Sequence, residues 1–327
     1  MSKQIEAFTF GDPEPVMNRA DITQYFESWW NNRWYEPPVS FSGLAKSFRS
    51  NAHHSSAIYV KRNVLLKTLK PNTKLSTQTA SRLFLDYLTF GNCFPEKIVD
   101  RVGRLIRIDS SMAKYTRRGK DKDQFWFVPL LGNEHEFTAG SVFHLMEPDV
   151  NQEVYGVPEY ISGLQSAWLN ESATLFRRKY YLNGSHAGFI LYLTDEQVET
   201  DDVDKIKQAL KDSKGPGNFR NLFLHAPGGK TDGLKLIPVA EVQAKDEFFN
   251  IKNVTRDDVL AAHRVPPQIM GIVPTNSAGF GSAEVASKVF SQNEIEPLQA
   301  RFKELNDWLG ETVIDWHPYQ LDQVSSA

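Results

Sequence analysis

The sequence predicts an α+β protein, and three observations carry that prediction. One amphipathic helical stretch runs into a series of short strand-like segments between residues 93 and 146. An uninterrupted helical pattern then opens at Pro158 and closes at Asn183-Gly184. Beyond it, a compact β-α-β-β pattern precedes a second long helix and a last helix with a proline inside it.

The elements follow in order. The first 40 residues are irregular and aromatic-rich, with Trp29, Trp30, Trp34 and Tyr35 ahead of Pro37-Pro38. A first helix is expected over 22–31, ending before the prolines. Residues 41–69 show mixed helical spacing, for instance at Ile58, Val64, Leu65 and Leu69. In "STQTASRLFLDYLTFGN", Leu83, Phe84, Tyr87, Leu88 and Phe90 share one face, and Gly91 stands where a C-cap belongs. "FPEKIVD" and "LIRIDSS" flank a turn at Gly103, "KYTRR" and "QFWFVPL" flank "GKDKD", and "GSVFHLME" is a further strand. One small antiparallel sheet carried on the preceding helices is the expectation.

From Pro158, the positions Ile161, Leu164, Trp168, Leu175 and Phe176 recur at helical spacing. About 25 residues at 1.5 Å each would give a rod of nearly 40 Å, whose last turns carry Arg177, Arg178 and Lys179. "AGFILYLTD" reads as a strand, "TDEQ" as a capping box ahead of a helix with Val203, Ile206 and Leu210, and "NLFLHAPGGKTDGLKLIPV" as a hairpin. A helix is expected over 245–263, then the loop "RVPPQIMGIVPTNSAGFGS". In the final helix Ile295, Leu298, Phe302, Leu305 and Leu309 form an apolar stripe, and Pro297 predicts a kink near Asn293.

Composition narrows the classes of function. At 327 residues the chain has room for roughly two or three packed units. It contains no run of about 18 apolar residues, so no membrane span is expected. The opening "MSKQIEAFTFGDPEP" lacks the layout of a signal peptide, and Cys93 is the single cysteine, so an intracellular origin without internal disulfides is expected. Cys93 is expected to pack, not to react. A net charge of −3 argues against tight nucleic-acid binding, which needs many phosphates neutralised at once.

Catalytic motifs fail one by one. Gly229-Lys230-Thr231 ends like a phosphate-binding loop, but the required first glycine is Leu224. Asp232-Gly233 then makes a turn into the strand-like Leu234–Ile237, where a helix should begin. His53-His54 are adjacent, so they cannot share a helix face as metal ligands do, and they read as a helix-end or surface pair. "GKDKD" is a solvated turn with too few ligands for calcium. Asp201-Asp202 and Asp257-Asp258 read as acids at helix starts. No cofactor, metal site or catalytic residue is expected.

Particular strings carry a resemblance. "AAHRVPPQIMGI" followed by "SAEVASKVFSQNEIEPLQARFKELNDWL" resembles the Val-Pro-Pro-x-x-x-Gly signature of tailed-bacteriophage portal proteins, here Val265, Pro266, Pro267 and Gly271 with Pro297 in the following helix. "AFTFGDPEPV", "WYEPPVSFSGLAKS", "HHSSAIYVKRN", "SSMAKYTRRG" and "NESATLFRRKYY" are similar to the branch found in contractile-tailed temperate phages of enteric bacteria. The likeness runs from about residue 7 to 320.

The resemblance implies a portal fold divided into an N-terminal wing (1–156), an outgoing stem helix (157–184), a clip (185–242) and a returning stem helix (243–264). A Val-Pro-Pro turn with tunnel loop (265–282), a kinked wing helix (283–310) and a tail (311–327) complete it. Only "ETVIDWHPYQLDQVSSA" follows Gly310, so a short or absent crown is implied.

It further implies a ring of twelve copies at one capsid vertex of the virion, assembled in the host bacterial cytoplasm, through which double-stranded DNA is packaged and ejected without sequence specificity. Terminase large subunit, capsid and scaffolding proteins, and head-completion or tail-connector proteins are the implied partners. A mildly acidic chain suits a channel that must not grip its DNA. Asn276, Ser277, Gly279, Phe280 and Gly281 are the implied channel loop, with Phe280 either at the narrowest bore or a buried anchor. Arg177, Arg178 and Lys179 either touch DNA or a neighbouring subunit, or form a solvated face that offsets the helix C-terminal charge. Lys230 and Asp232, on the hairpin tip, are the implied clip interface. The alternatives from other classes are a non-channel head–tail adaptor and a nucleotide-binding motor component.

Overall fold

A computed structural model describes residues 28–182, 189–193, 234–238, 244–272 and 282–319, with side chains described for 28–178, 250–272 and 282–319. Two compact units divide it. Among the described residues the larger holds 28–168 and 255–319, and the smaller holds 169–182, 189–193, 234–238 and 244–254.

In the larger unit, β1 (Trp29–Trp30) pairs antiparallel with β2 (Tyr35–Glu36). The helix expected over 22–31 therefore does not extend to its last residues, and 22–27 lie outside the described residues. The cause is local. Asn31 Oδ1 accepts the backbone N–H groups of Arg33 and Trp34 at 3.1 and 3.0 Å, and Asn32 takes φ +76°, so a side-chain turn displaces helical bonding.

The mixed spacing of 41–69 resolves into two helices, α1 (Phe41–Ser47) and α2 (Ala52–Thr68), capped by Ser40 and Asn51. Helix α2 has no single apolar stripe because it serves two cores. Ala57, Val64 and Leu65 belong to one cluster and Ile58 to the other. Helix α3 (Thr77–Phe90) starts at a Ser76 cap and ends on Gly91 in the left-handed region, as its pattern predicts.

Strands β3 (Asn92–Val99), β4 (Leu105–Ser111), β5 (Thr116–Arg118), β6 (Phe125–Phe127), β7 (His135–Glu136) and β8 (Leu145–Met146) follow. They build two sheets where one was expected: a five-stranded sheet in the order β1-β2-β5-β6-β7 and a three-stranded sheet in the order β4-β3-β8. A 3-10 turn at Ala113–Tyr115 separates β4 from β5, so β5 cannot extend the β4 ladder and pairs with β2 and β6.

Helix α4 (Leu164–Leu182) begins later than Pro158, after a 3-10 turn at Ile161–Gly163. Its 19 residues span about 28 Å, less than the rod expected. Gly163 lies against Ala262, with no room for a side chain between them. Helix α5 (Ala244–Ala262) matches its expected span. Asp257 and Asp258 lie in its last turns and not at a helix start, and Asp258 accepts a hydrogen bond from Ser166 at 3.0 Å. In the smaller unit, β9 (Phe189–Leu193) and β10 (Leu234–Pro238) form an antiparallel ribbon, and Asn170 donates to the Lys252 carbonyl at 3.3 Å. The helix and capping box expected over 194–210 lie outside the described residues.

The last helix is divided into α6 (Ala283–Phe290), a π-turn at Ser291–Ile295, α7 (Glu296–Phe302) and α8 (Glu304–Leu309). Pro297 has no N–H to offer the residue 293 carbonyl, and its ring would crowd that oxygen. The chain widens there by one residue, so Glu296 N–H reaches Ser291 O. Phe302, Leu305 and Ile295 pack on Leu83, Phe84 and Tyr87 of α3 in the first core. The second core gathers Phe41, Leu44, Ile58, Phe94, Tyr155, Tyr160 and Trp168. Among the described residues no helix is long and apolar enough to cross a membrane.

Candidate functional site

The Val-Pro-Pro segment starts where α5 stops, and it stops in an unusual way. Arg264 N–H reaches Ala261 O at 2.9 Å and Val265 N–H reaches Leu260 O at 3.0 Å, the paired bonds of a Schellman ending. The left-handed residue of that motif is normally glycine; here it is Arg264, at φ +54°. Val265 is buried in the first core. Pro266 is extended, Pro267–Met270 form a 3-10 turn, and Gly271 closes it at φ +69°. The described chain stops at Ile272 and resumes at Ser282, whose hydroxyl caps α6 by accepting from Val285 N–H.

Behind this segment lies a cluster of paired charges. Lys61, on the buried side of α2, has a side chain only 3% exposed and donates to Glu294 at 3.1 Å and Glu159 at 3.4 Å. Arg264 reaches the same two carboxylates, Glu159 at 3.1 Å and Glu294 at 3.5 Å. Burial alone would raise the Glu159 carboxyl, but Lys61 and Arg264 outweigh it and hold it below the usual glutamate range. Burial likewise works against the Arg264 guanidinium, and Glu159 with Glu294 outweigh it in turn. Three separate stretches meet here: the residue after Pro158, the end of α5, and the π-turn that Pro297 imposes.

Two histidines sit beside it. His54 Nδ1 lies 2.9 Å from His263 Nε2, with both rings buried and Tyr160 stacked edge-on against His54. Burial lowers His54 to about 4 and drives His263 well below its ordinary value, so both rings are neutral at pH 7. Tyr160 donates to the Thr89 carbonyl. His54 is thus a helix-end residue but not a surface one, because α2 turns it toward the end of α5. A further ion pair, Arg301 to Glu147 at 2.7 Å, is completed by Tyr87, which donates to the same carboxylate at 2.8 Å. A cavity of about 20 Å³ lies among Lys61, Tyr87, Glu147, Glu159, Tyr160 and His263, the size of one water molecule.

The predicted residues fall as follows. Val265, Pro266, Pro267 and Gly271 lie in the turn that follows α5, and Pro297 follows the π-turn that holds Glu294. Arg177 and Arg178 are exposed on α4, while the Lys179 side chain lies outside the described residues. Burial first, and then the Arg177 charge, lowers the Lys252 ammonium, which donates to Thr174 Oγ1 at 3.1 Å. Asn276, Ser277, Gly279, Phe280 and Gly281, and Lys230 and Asp232, lie outside the described residues. Cys93 is fully buried, and burial pushes its thiol well up, in keeping with a packing role. Among the described residues no group of His, Cys, Asp and Glu is placed to hold a metal.

Sequence reasoning missed Lys61, Glu159, Glu294 and His263. Lys61 interrupts the buried positions Ile58 and Leu65 at helical spacing, which was a readable signal. Its partners lie 98 and 233 residues away and carry none.

The larger unit mixes helix and sheet and contains the first residues of α4, the last of α5, the Val-Pro-Pro turn and the π-broken helix. Residues 47–322 match the family described as "Phage portal protein". The chain is 56% identical over 319 residues to the "Probable portal protein" of Escherichia phage P2, covering 98% of this chain and 93% of that one. It is 37% identical to the "Probable portal protein" of Haemophilus phage HP1 (strain HP1c1), covering 82% and 79% of the two chains. Among solved structures it is similar, at TM-score 0.62 and 16% identity over 91% of this chain and 88% of the other, to a chain in the neck of a native gene transfer agent particle computed with twelve-fold symmetry. The chain belongs to the phage portal protein family.

Proposed function

We propose that the chain assembles into a twelve-membered ring at one capsid vertex and forms the channel through which double-stranded DNA enters and leaves the head. The observation that carries this reading is the 56% identity, over nearly the whole of both chains, to a probable portal protein. The twelve-fold neck assembly containing a chain of similar fold supports the ring. Exposed apolar side chains on the long helices, Leu169 and Phe176 on α4 and Val254 on α5, support lateral packing between copies.

In this reading 1–156 and 283–310 are wing, 157–184 and 243–264 the two stem helices, and 185–242 the clip. The clip hairpin with Lys230 and Asp232 meets the terminase large subunit during packaging, and head-completion or tail-connector proteins afterwards. Capsid and scaffolding proteins surround the wing. Residues 265–282 form the tunnel loop, with Asn276, Ser277, Gly279, Phe280 and Gly281 facing the bore. Arg177, Arg178 and Lys179 offer their charges to passing DNA. The chain works as a passive conduit in the virion and catalyses no reaction; the hydrolysis that drives DNA belongs to the docked motor.

Deletion of 275–281 tests the loop assignment. Rings should still form, and packaging of DNA into heads should be abolished. Normal head filling by the deletion variant would remove the loop from the channel.

A further inference from the structure

Arg264 carries two features with no separate explanation. It occupies the left-handed position of a helix ending where glycine is the unstrained choice. From there it also sends one guanidinium nitrogen to Glu159 and Glu294, residues of two other segments. The two features fit together. The left-handed backbone turns residue 264 out of the α5 spiral, and the side chain spans the gap between the root of α4 and the π-turn.

Glu159 lies five positions before α4, Arg264 two positions after α5, and Glu294 within the helix that begins at Ala283. Arg264 therefore links the roots of both long helices to the helix on the far side of residues 273–281. Lys61 shares the two carboxylates but sits on α2, buried. Arg264, with its side chain 54% exposed, is the cation contributed by the residue that leads into the Val-Pro-Pro turn.

We propose that Arg264 is a positioning residue for the channel: its three-way clamp fixes both flanks of the tunnel loop relative to the roots of the long helices, and DNA translocation depends on that fixed geometry. The inference rests on the channel reading above. An arginine there accepts a backbone strain that glycine would relax, and its pairing with Glu159 and Glu294 offsets that strain.

Three variants separate the roles. R264A keeps the backbone strain and loses the clamp, R264G loses both, and R264K keeps the strain and one mobile cation. Each is purified, examined for rings by electron microscopy, melted, and supplied to a phage whose own portal gene is inactivated, with filled heads counted. R264G should form rings and melt about 2–4 °C above R264A. Both should give about tenfold fewer filled heads than the wild type, the loss of one charge-assisted hydrogen bond at a working joint. R264K should recover part of the filling.

Filling by R264G at the wild-type level would overturn the proposal, as would filling that simply follows melting temperature across the series. Failure of R264G to form rings would also overturn it, by making Arg264 an assembly residue. Failure of the wild type to form rings would instead refute the channel reading.

Discussion

Lys61 is the residue on which the paired charges depend. Its ammonium is out of solvent and is shared by two carboxylates that Arg264, from a more exposed position, satisfies only in part. Removing one member of a buried ion cluster leaves the others uncompensated, so K61M should destabilise the fold by about 3 kcal/mol, read from urea unfolding at pH 7. An unchanged midpoint would mean that Arg264 alone neutralises both carboxylates.

The histidine pair makes a pH prediction with a definite sign. His54 is held neutral by burial, at about 4 against an ordinary 6.5, and His263 shifts the same way. The unfolded chain therefore binds more protons than the folded one across that window, and stability is lost as pH falls from about 6.5 toward 4. The full loss from His54 alone is about 3 kcal/mol. Melting temperatures measured between pH 7.5 and 4.5 should fall steeply in the wild type and less steeply in H54Q; equal slopes would place the acid sensitivity elsewhere.

At the scale of elements, the joint between α3, β3 and the approach to α4 is set by backbone contact. Asn92 donates to the carbonyls of Phe90 and Gly156 at 2.7 and 2.8 Å and accepts the Gly156 N–H at 2.8 Å. A side-chain carbon on Gly156 would come within 2.2 Å of the Gly91 carbonyl oxygen and 2.5 Å of the Glu147 backbone nitrogen, and neither can move aside. G156A should therefore cost about 3 kcal/mol, checked by thermal melting. At the other end of the scale, N51A removes the acceptor for two amides at the start of α2 and should cost about 1 kcal/mol.

These elements also mark how far the sequence could be read. Helix α3, with its single apolar stripe, serine cap and Gly91, was legible from end to end, because one face meets one core. The break near Asn293 was legible because proline acts through its own missing N–H. Helix α2 was not, since a helix that feeds two cores loses its stripe. The division of the strands into two sheets was hidden for another reason: it depends on a 3-10 turn at Ala113–Tyr115 that carries no glycine or proline to announce it. The charge cluster was illegible because its members are far apart in the chain. Only Lys61, at an apolar spacing, and Arg264, where a helix-ending glycine would stand, left any trace.

For the whole molecule, the 56% identity over 319 residues to a probable portal protein and the family match over residues 47–322 place the chain in the phage portal protein family. The larger unit contains two packed cores and the charge cluster beside the start of α4 and the end of α5. Among its described residues the smaller unit holds 169–182 and 244–254 of those helices and a two-stranded ribbon. The proposed channel is a ring of copies of this chain around passing DNA. Electron microscopy of the purified full-length chain tests that claim most directly. The account predicts rings, twelve-fold in the virion, with a central opening wide enough for a DNA duplex; monomers, sheets or closed particles without an opening would contradict it.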